Sequence, residues 1–209
     1  MSTDDPDLEA AYSLKTPDDS RKLYARWAAD YDTDFAAAEA YALPAATARA
    51  FADAGGTGPV LDVGAGTGLC AVALAEAGIG PVDGVDISAE MLDVAGRKGV
   101  YRDLLEADLY AGVAMADGAY GGIVSSGTFT HGHVGPEVLD EVVRLAAPGA
   151  VLALAINAAH YDADGFAAAL EALSPRIDGL VLPEVRIYGE NARGPHKDDL
   201  ARIAVFRKR

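Results

Sequence analysis

The sequence predicts an α/β protein with a doubly wound, mostly parallel sheet, an antiparallel hairpin at one edge, and helices at the N-terminus. Three observations predict it. From Pro59 onward, short apolar runs alternate with helical patterns five times over. The first apolar run ends in a loop with glycine at alternate positions, Gly64-Ala65-Gly66-Thr67-Gly68. The last two apolar runs follow each other with only a polar loop between them.

Residues 1–17 carry Asp4, Asp5, Asp7 and two prolines, and read as a flexible lead-in to a single domain over residues 18–209. Asp18 or Asp19 is expected to cap a helix whose Leu23, Trp27 and Tyr31 recur every four positions on one face. The alanine-rich run from Phe35 to Ala54 reads as a second helix, bent near Pro44. Val60 to Val63 is the first strand, and a helix follows from Cys70 to Ala77. Pro81 to Ile87 is the second strand, after which Ser88 caps a helix through Met91 and Val94. Tyr101 to Ala107 and Tyr120 to Ser126 are the third and fourth strands. Pro136 opens a helix that runs to Ala147, and Ala150 to Ile156 is a fifth strand, apolar as a strand covered on both faces should be. Tyr161 to Leu173 reads as one helix, and Leu180 to Tyr188 and Leu200 to Phe206 as the closing hairpin.

Composition narrows the function. The chain has 209 residues, 51% of them apolar and 23% charged, which suits one folded domain. The net charge of −15 repels phosphate backbones and counts against nucleic acid or an anionic membrane as partner. Cys70 is the only cysteine, so a cysteine-rich metal site is excluded; no metal is expected. Met1 to Pro17 is acidic and polar, unlike a signal peptide, and Val60 to Pro81 is broken by Asp62, Glu76 and glycines, unlike a membrane span. A cytoplasmic location is the expectation.

In a doubly wound sheet, ligands bind beyond the carboxyl ends of the strands. The glycine loop after Val63 lets the backbone turn tightly and lets a ligand approach closely, and the helix that follows offers free N–H groups. Asp86 stands at the end of the second strand, 22 residues after Gly64, where a carboxylate can accept from both hydroxyls of a ribose. Asp108 ends the third strand after a further 22 residues, where it could accept from an adenine amino group or serve as a plain turn acid.

Together these pieces resemble the class I S-adenosylmethionine-dependent methyltransferases. The matching segments are Leu61 to Gly68, Gly84 to Leu92, Ala107 to Leu109, and Leu145 to Ala150. The segment Tyr24 to Asp32 is similar to the N-terminal helix of the small-molecule, type 11/25-like branch, including the methyltransferase-like group linked to the Williams–Beuren region. The resemblance implies a Rossmann-like methyltransferase sheet, S-adenosylmethionine as cofactor, and a helix carrying Tyr24, Trp27 and Tyr31 folded over it. It implies backbone contacts to the methionine portion at Gly64, Ala65 and Gly66, and Asp62 on the cofactor's amino group. It places Asp86 on the ribose, Ile87 against adenine and Met91 among the cofactor-binding residues. Asp108 and the Leu109 amide would read the adenine edge, with Ser126 and Gly127 near the sulfonium.

An oxygen acceptor needs a base. His131 and His133, after the fourth strand, are the candidates, and His160 after the fifth could also face the pocket. The closing Arg207-Lys208-Arg209 reads as a solvated tail. The expected function is methyl transfer to a small molecule. One rival is a nicotinamide-dependent oxidoreductase, whose third glycine follows the second by three positions; here Gly66 and Gly68 are two apart. The other is a protein that binds S-adenosylmethionine or S-adenosylhomocysteine without turnover. Oligomeric state is not legible from the sequence.

Overall fold

The computed structural model describes residues 16–28, 30–36, 40–130, 133–193 and 195–209. Helix α1 (Pro17–Trp27) is capped by Thr16, whose hydroxyl accepts from the Asp19 amide at 3.2 Å. The cap is thus Thr16 rather than Asp18 or Asp19. The helix does not continue through Tyr31. After it stops at Trp27, the chain resumes as a π-helical turn, Tyr31–Ala36. Asp32 within that turn accepts from the Thr67 hydroxyl and the Lys98 ammonium. Helix α2 (Leu43–Asp53) begins at Leu43 and is not bent at Pro44, because proline in a first turn forfeits no intrahelical bond.

Strand β1 (Val60–Val63) leads through the glycine loop into α3 (Leu69–Glu76). Strand β2 (Val82–Asp86) leads into α4 (Ala89–Arg97), capped by Ser88, whose hydroxyl accepts from the Met91 amide at 3.3 Å. Strands β3 (Asp103–Glu106) and β4 (Tyr120–Phe129) follow. The expected helix from Pro136 to Ala147 is a 3-10 turn, Pro136–Val138, then α5 (Leu139–Leu145). Ala146, Ala147, Pro148 and Gly149 already belong to β5 (Ala146–Asn157). The expected helix from Tyr161 to Leu173 is divided into α6 (Ala158–Ala163) and α7 (Phe166–Ala172), because Gly165 sits at φ +79° between them. Strands β6 (Ile177–Val181) and β7 (Glu184–Arg186) replace one continuous strand, and both lie antiparallel to β8 (Leu200–Lys208).

The sheet order is β3-β2-β1-β4-β5-β8-β6, with β7 also pairing β8. Strands β1 to β5 are parallel; β8 reverses against β5. The chain winds outward from β1 to β3 and then returns to place β4 on the other side of β1. That reversal opens a crevice above β1 and β4, where a ligand can be reached by several strand ends. One core layer packs Leu23, Trp27, Leu43, Phe51 and Leu74 on the sheet, and the other packs Val142, Val143, Phe166 and Leu170 on its opposite face. Among the described residues no helix is long and apolar enough to cross a membrane.

Arg207 and Arg209 are exposed, as a solvated tail implies, but the three terminal cations are also hydrogen-bonded to the fold. Arg207 donates to the Gly149 and Ala54 carbonyls, Lys208 to the Ala146 carbonyl at 2.7 Å, and Arg209 to Asp178 and the Pro175 carbonyl. They stitch the last strand to its neighbours.

Candidate active site

The crevice is a solvent-open cavity with about 1010 Å³ of empty space. Its floor is the glycine loop. Gly64 has φ +68°, and a Cβ there would lie 1.9 Å from Thr128 Oγ1, so only glycine fits. Gly66 has φ +54°, and a Cβ there would meet nothing within 4 Å. The loop therefore leaves open space over the backbone at Gly66 rather than filling it with protein.

Asp86 organises this floor. One carboxylate oxygen accepts from the Gly66 amide at 2.8 Å and the other from the Ser88 amide at 2.9 Å. Burial raises its pKa, against the pull of the backbone bonds from Ser88, Gly66 and Ile87. The acid at the tip of β2 thus holds the loop after β1. Asp108 lies at the next strand tip, where it accepts from the Tyr110 amide at 2.9 Å. Ile87, Met91 and Leu109 line the wall between them.

Asp62 sits beneath the loop and is 1% exposed. Tyr101 donates its hydroxyl to one carboxylate oxygen at 2.7 Å. The other oxygen is buried with no hydrogen-bond partner among the described residues. Burial pushes the Asp62 carboxyl up to about 7. Ser126 Oγ, across the cavity, is likewise buried without a partner. Two polar atoms left unsatisfied in one cavity are costly, and a ligand with matching donors would relieve them.

A break in the regular β4–β5 register between Ser125 and Phe129 turns Ser126, Gly127 and Thr128 toward the cavity. Thr128 donates to the Val63 carbonyl at 3.0 Å, which ties β4 to the loop.

The N-terminal segment forms the cover. Tyr24 and Tyr31 line the cavity, joined by Tyr41. Trp27 does not line it: it is 5% exposed and packs behind the tyrosines, 6.2 Å from Tyr24 and 5.2 Å from Tyr31 between ring centroids. Its periodicity with Leu23 placed it on a buried face, which is where it lies. The cover is latched by Asp32, which accepts from the Thr67 hydroxyl at 2.6 Å and from the Lys98 ammonium at 2.5 Å. Lys98 also donates to the Thr67 carbonyl at 2.5 Å.

His133 lines the cavity, with Nε2 2.7 Å from Tyr24 Oη. His131 lies outside the described residues. His160 does not face the cavity; it is buried, with Nδ1 2.6 Å from Asp164 and Nε2 3.0 Å from the Val134 carbonyl. Helix α6 carries it beneath the sheet's far layer, against Phe166.

Sequence reasoning missed Tyr41, Tyr101, Thr128 and the Asp32–Thr67–Lys98 latch. Thr67 stood inside the glycine loop and could have been noted as a polar side chain at that turn. The others arrive from remote positions and carry no local signal.

The sheet is doubly wound in this order and closed by antiparallel strands, and a glycine loop and two strand-tip acids line the cavity at its switch point, where such sheets bind ligands. Comparison with known proteins agrees. Residues 61–154 match the family model described as a methyltransferase domain. Human methyltransferase-like protein 27 is 31% identical over 154 residues, which cover 70% of this chain and 61% of that protein. The chain thus spans about six-tenths of that relative's length. The crystal structure of a SAM-dependent methyltransferase from Thermotoga maritima is similar, with a TM-score of 0.62 at 16% identity, covering 90% of this chain and 98% of that one. A TehB-like SAM-dependent methyltransferase from Corynebacterium glutamicum is similar with a TM-score of 0.55 at 22% identity, covering 78% of this chain and 87% of that one. Residues 61–154 thus match a methyltransferase domain of the type 11 family, on a sheet fold that the chain shares with solved S-adenosylmethionine-dependent methyltransferases.

Proposed function

We propose that this protein transfers a methyl group from S-adenosylmethionine to a small-molecule acceptor. The observation that carries the reading is the buried Asp62 carboxylate with one unsatisfied oxygen, in the same cavity as Asp86 and Asp108. A cationic, adenosine-bearing ligand supplies what those groups lack. Its ammonium would satisfy Asp62 and its ribose hydroxyls would meet Asp86. Adenine would lie between Ile87, Met91 and Leu109, with Asp108 at its edge. Gly64, Ala65 and Gly66 would present backbone to the methionine portion, and Ser126 and Gly127 would lie near the sulfonium.

The bound cofactor supplies a methyl group already activated by a positive sulfur. The chain's own tasks are to hold the acceptor in line, exclude water and accept a proton where the acceptor is a hydroxyl. Tyr24, Tyr31 and Tyr41 line the cavity and supply apolar ring surface beside the acceptor. His133 is the base proposed here; His131 stays a candidate on its place in the sequence alone. A small acceptor suits a cavity covered by its own chain, and the net charge of −15 opposes nucleic acid. A cytoplasmic protein with a small-molecule substrate and no membrane partner is the accompanying reading.

Thermal unfolding tests the proposal. S-adenosylhomocysteine should raise Tm by linkage, about 2.7 kcal/mol of stabilisation at a hundredfold excess over Kd, and NADH should not. A shift with NADH alone would favour the oxidoreductase. Binding without transfer to any acceptor would favour the non-catalytic reading.

A further inference from the structure

Tyr24, Tyr31, Tyr41 and His133 line the same cavity as the glycine loop, and Tyr24 and His133 meet in an arrangement to which the proposed function gives no acceptor. Tyr24 Oη and His133 Nε2 are 2.7 Å apart, and their rings meet at 5.5 Å between centroids with a 52° tilt. Tyr24 also stands 6.2 Å from the Tyr31 ring. Tyr41 adds a third phenol ring to the wall, and its hydroxyl closes on Gly127, where a Cβ would lie 2.6 Å away. This part of the cavity is therefore aromatic, with one imidazole facing inward.

Charge divides the possible acceptors. The charged residues lining the cavity are Asp62, Asp86 and Asp108, and no lysine or arginine lines it among the described residues. Lys98, behind the glycine loop, is already engaged by Asp32 and the Thr67 carbonyl. A carboxylate or phosphate on the acceptor would lose water and meet no lysine or arginine among the described lining residues. A flat neutral ring gains stacking area on the tyrosines.

The nucleophile follows from the histidine. A hydroxyl oxygen keeps a free lone pair while still protonated, and its proton turns acidic as the new bond forms. An aliphatic ammonium has no free lone pair, and its proton, with a pKa of about 10.4, is not yielded to an imidazole of about 6.5. His133 already holds a phenolic hydroxyl in this structure, the one that belongs to Tyr24.

We propose that the acceptor is an uncharged aromatic compound bearing a phenolic hydroxyl, and that this hydroxyl replaces Tyr24 Oη at His133 Nε2. The proposal rests on the methyltransferase reading above. As the bond between acceptor oxygen and methyl carbon forms, the carbon–sulfur bond breaks and its electron pair returns to sulfur. The phenolic proton passes to His133 Nε2. The products are a methyl ether, a neutral thioether and an imidazolium that releases its proton to water.

The test uses the full chain saturated with S-adenosylhomocysteine. Tyrosol and 4-hydroxyphenylacetate, which share the phenol and differ in the charge at the far end, are titrated in by calorimetry and by the fluorescence of Trp27, the only tryptophan. Tyrosol should bind about tenfold or more tighter than the acid. Tyr24→Phe should strengthen tyrosol binding by about threefold, since the competing hydroxyl is gone, and His133→Gln should weaken it by about tenfold. His133→Gln should hold S-adenosylhomocysteine as the parent does; Tyr24 belongs to the cover over that ligand, so tyrosol is titrated into Tyr24→Phe only at S-adenosylhomocysteine saturation, verified for each protein. Tighter or equal binding of the acid overturns the proposal. So does failure of tyrosol to bind a protein that binds S-adenosylhomocysteine normally, and that result leaves the methyltransferase reading standing. Failure to bind S-adenosylhomocysteine at all overturns both.

Discussion

Asp62→Asn should stabilise the ligand-free protein at pH 8 and weaken its hold on the cofactor. The carboxyl is 1% exposed, and one of its oxygens has no partner among the described residues. Burial pushes its pKa up to about 7; the Tyr101 hydrogen bond opposes the rise and the Asp86 charge adds to it. In the unfolded chain an aspartate titrates near about 3.9. Between those two values the folded state keeps a proton that the unfolded state has released. Folding is therefore favoured by acid over this window: stability falls as pH rises from about 4 to about 7 and is level beyond. At about 1.36 kcal/mol per pH unit the whole loss is about 4 kcal/mol. Asparagine keeps the shape and an acceptor for Tyr101, at the expense of a weaker, uncharged bond of about 1–2 kcal/mol less. The net gain at pH 8 is about 2 kcal/mol, or about 4–8 °C in Tm for a chain of this size. Urea unfolding of parent and variant at pH 5.5 and pH 8, with and without S-adenosylhomocysteine, measures it. The gap between the proteins should open with pH, and the ligand should stabilise the variant less. A parent whose stability is level from pH 5 to pH 8, or a variant weaker at pH 8, would refute the reasoning.

Gly64→Ala should cost about 2–3 kcal/mol of stability, because its Cβ would collide with Thr128 at a positive φ. Gly66→Ala meets no protein atom within 4 Å, so it should cost only about 1 kcal/mol, while crowding the ligand space and lowering affinity for S-adenosylhomocysteine. Unfolding and calorimetry on the pair separate the two effects. Asp32→Asn should leave the glycine loop folded yet loosen the cover, with a stability loss of about 1 kcal/mol and a faster release of S-adenosylhomocysteine in stopped flow. Asp32→Glu should restore most of the slower release.

The parts of this site that were legible in the sequence are those that one strand tip builds alone. A parallel strand that must turn at once into a helix needs glycine, so Gly64, Gly66 and Gly68 mark the turn wherever the rest of the chain goes. Asp86 and Asp108 were legible because each follows an apolar run whose end had to face the same edge of the sheet. Trp27 shows the limit. Its spacing identified a buried face but not whether that face met ligand or core, and the structure puts it behind Tyr24 and Tyr31. Tyr101 was beyond reach because its role depends on the β2–β3 connection passing over Asp62, a matter of packing between segments 39 residues apart. The same holds for Asp32 and Lys98, joined across 66 residues. The division of the helix after Tyr161 is not legible in the sequence, because alanine-rich sequence favours helix on both sides of Gly165 and only the positive φ at that glycine separates the two. For the last three residues charge is the sole local cue and it indicates solvent exposure, which Arg207 and Arg209 have; their bonds to carbonyls and an acid depend on the pairing of β8 along β5 and β6.

Calorimetric titration of S-adenosylhomocysteine into the parent protein and into Asp86→Ala weighs the account most directly. Asp86 draws the Gly66 and Ser88 amides together at the tip of the second strand. One equivalent should bind the parent, and the variant should bind about a hundredfold more weakly, as expected for a lost charge-assisted contact and a slackened loop. Equal affinity in the two proteins, or no heat with either, would contradict it.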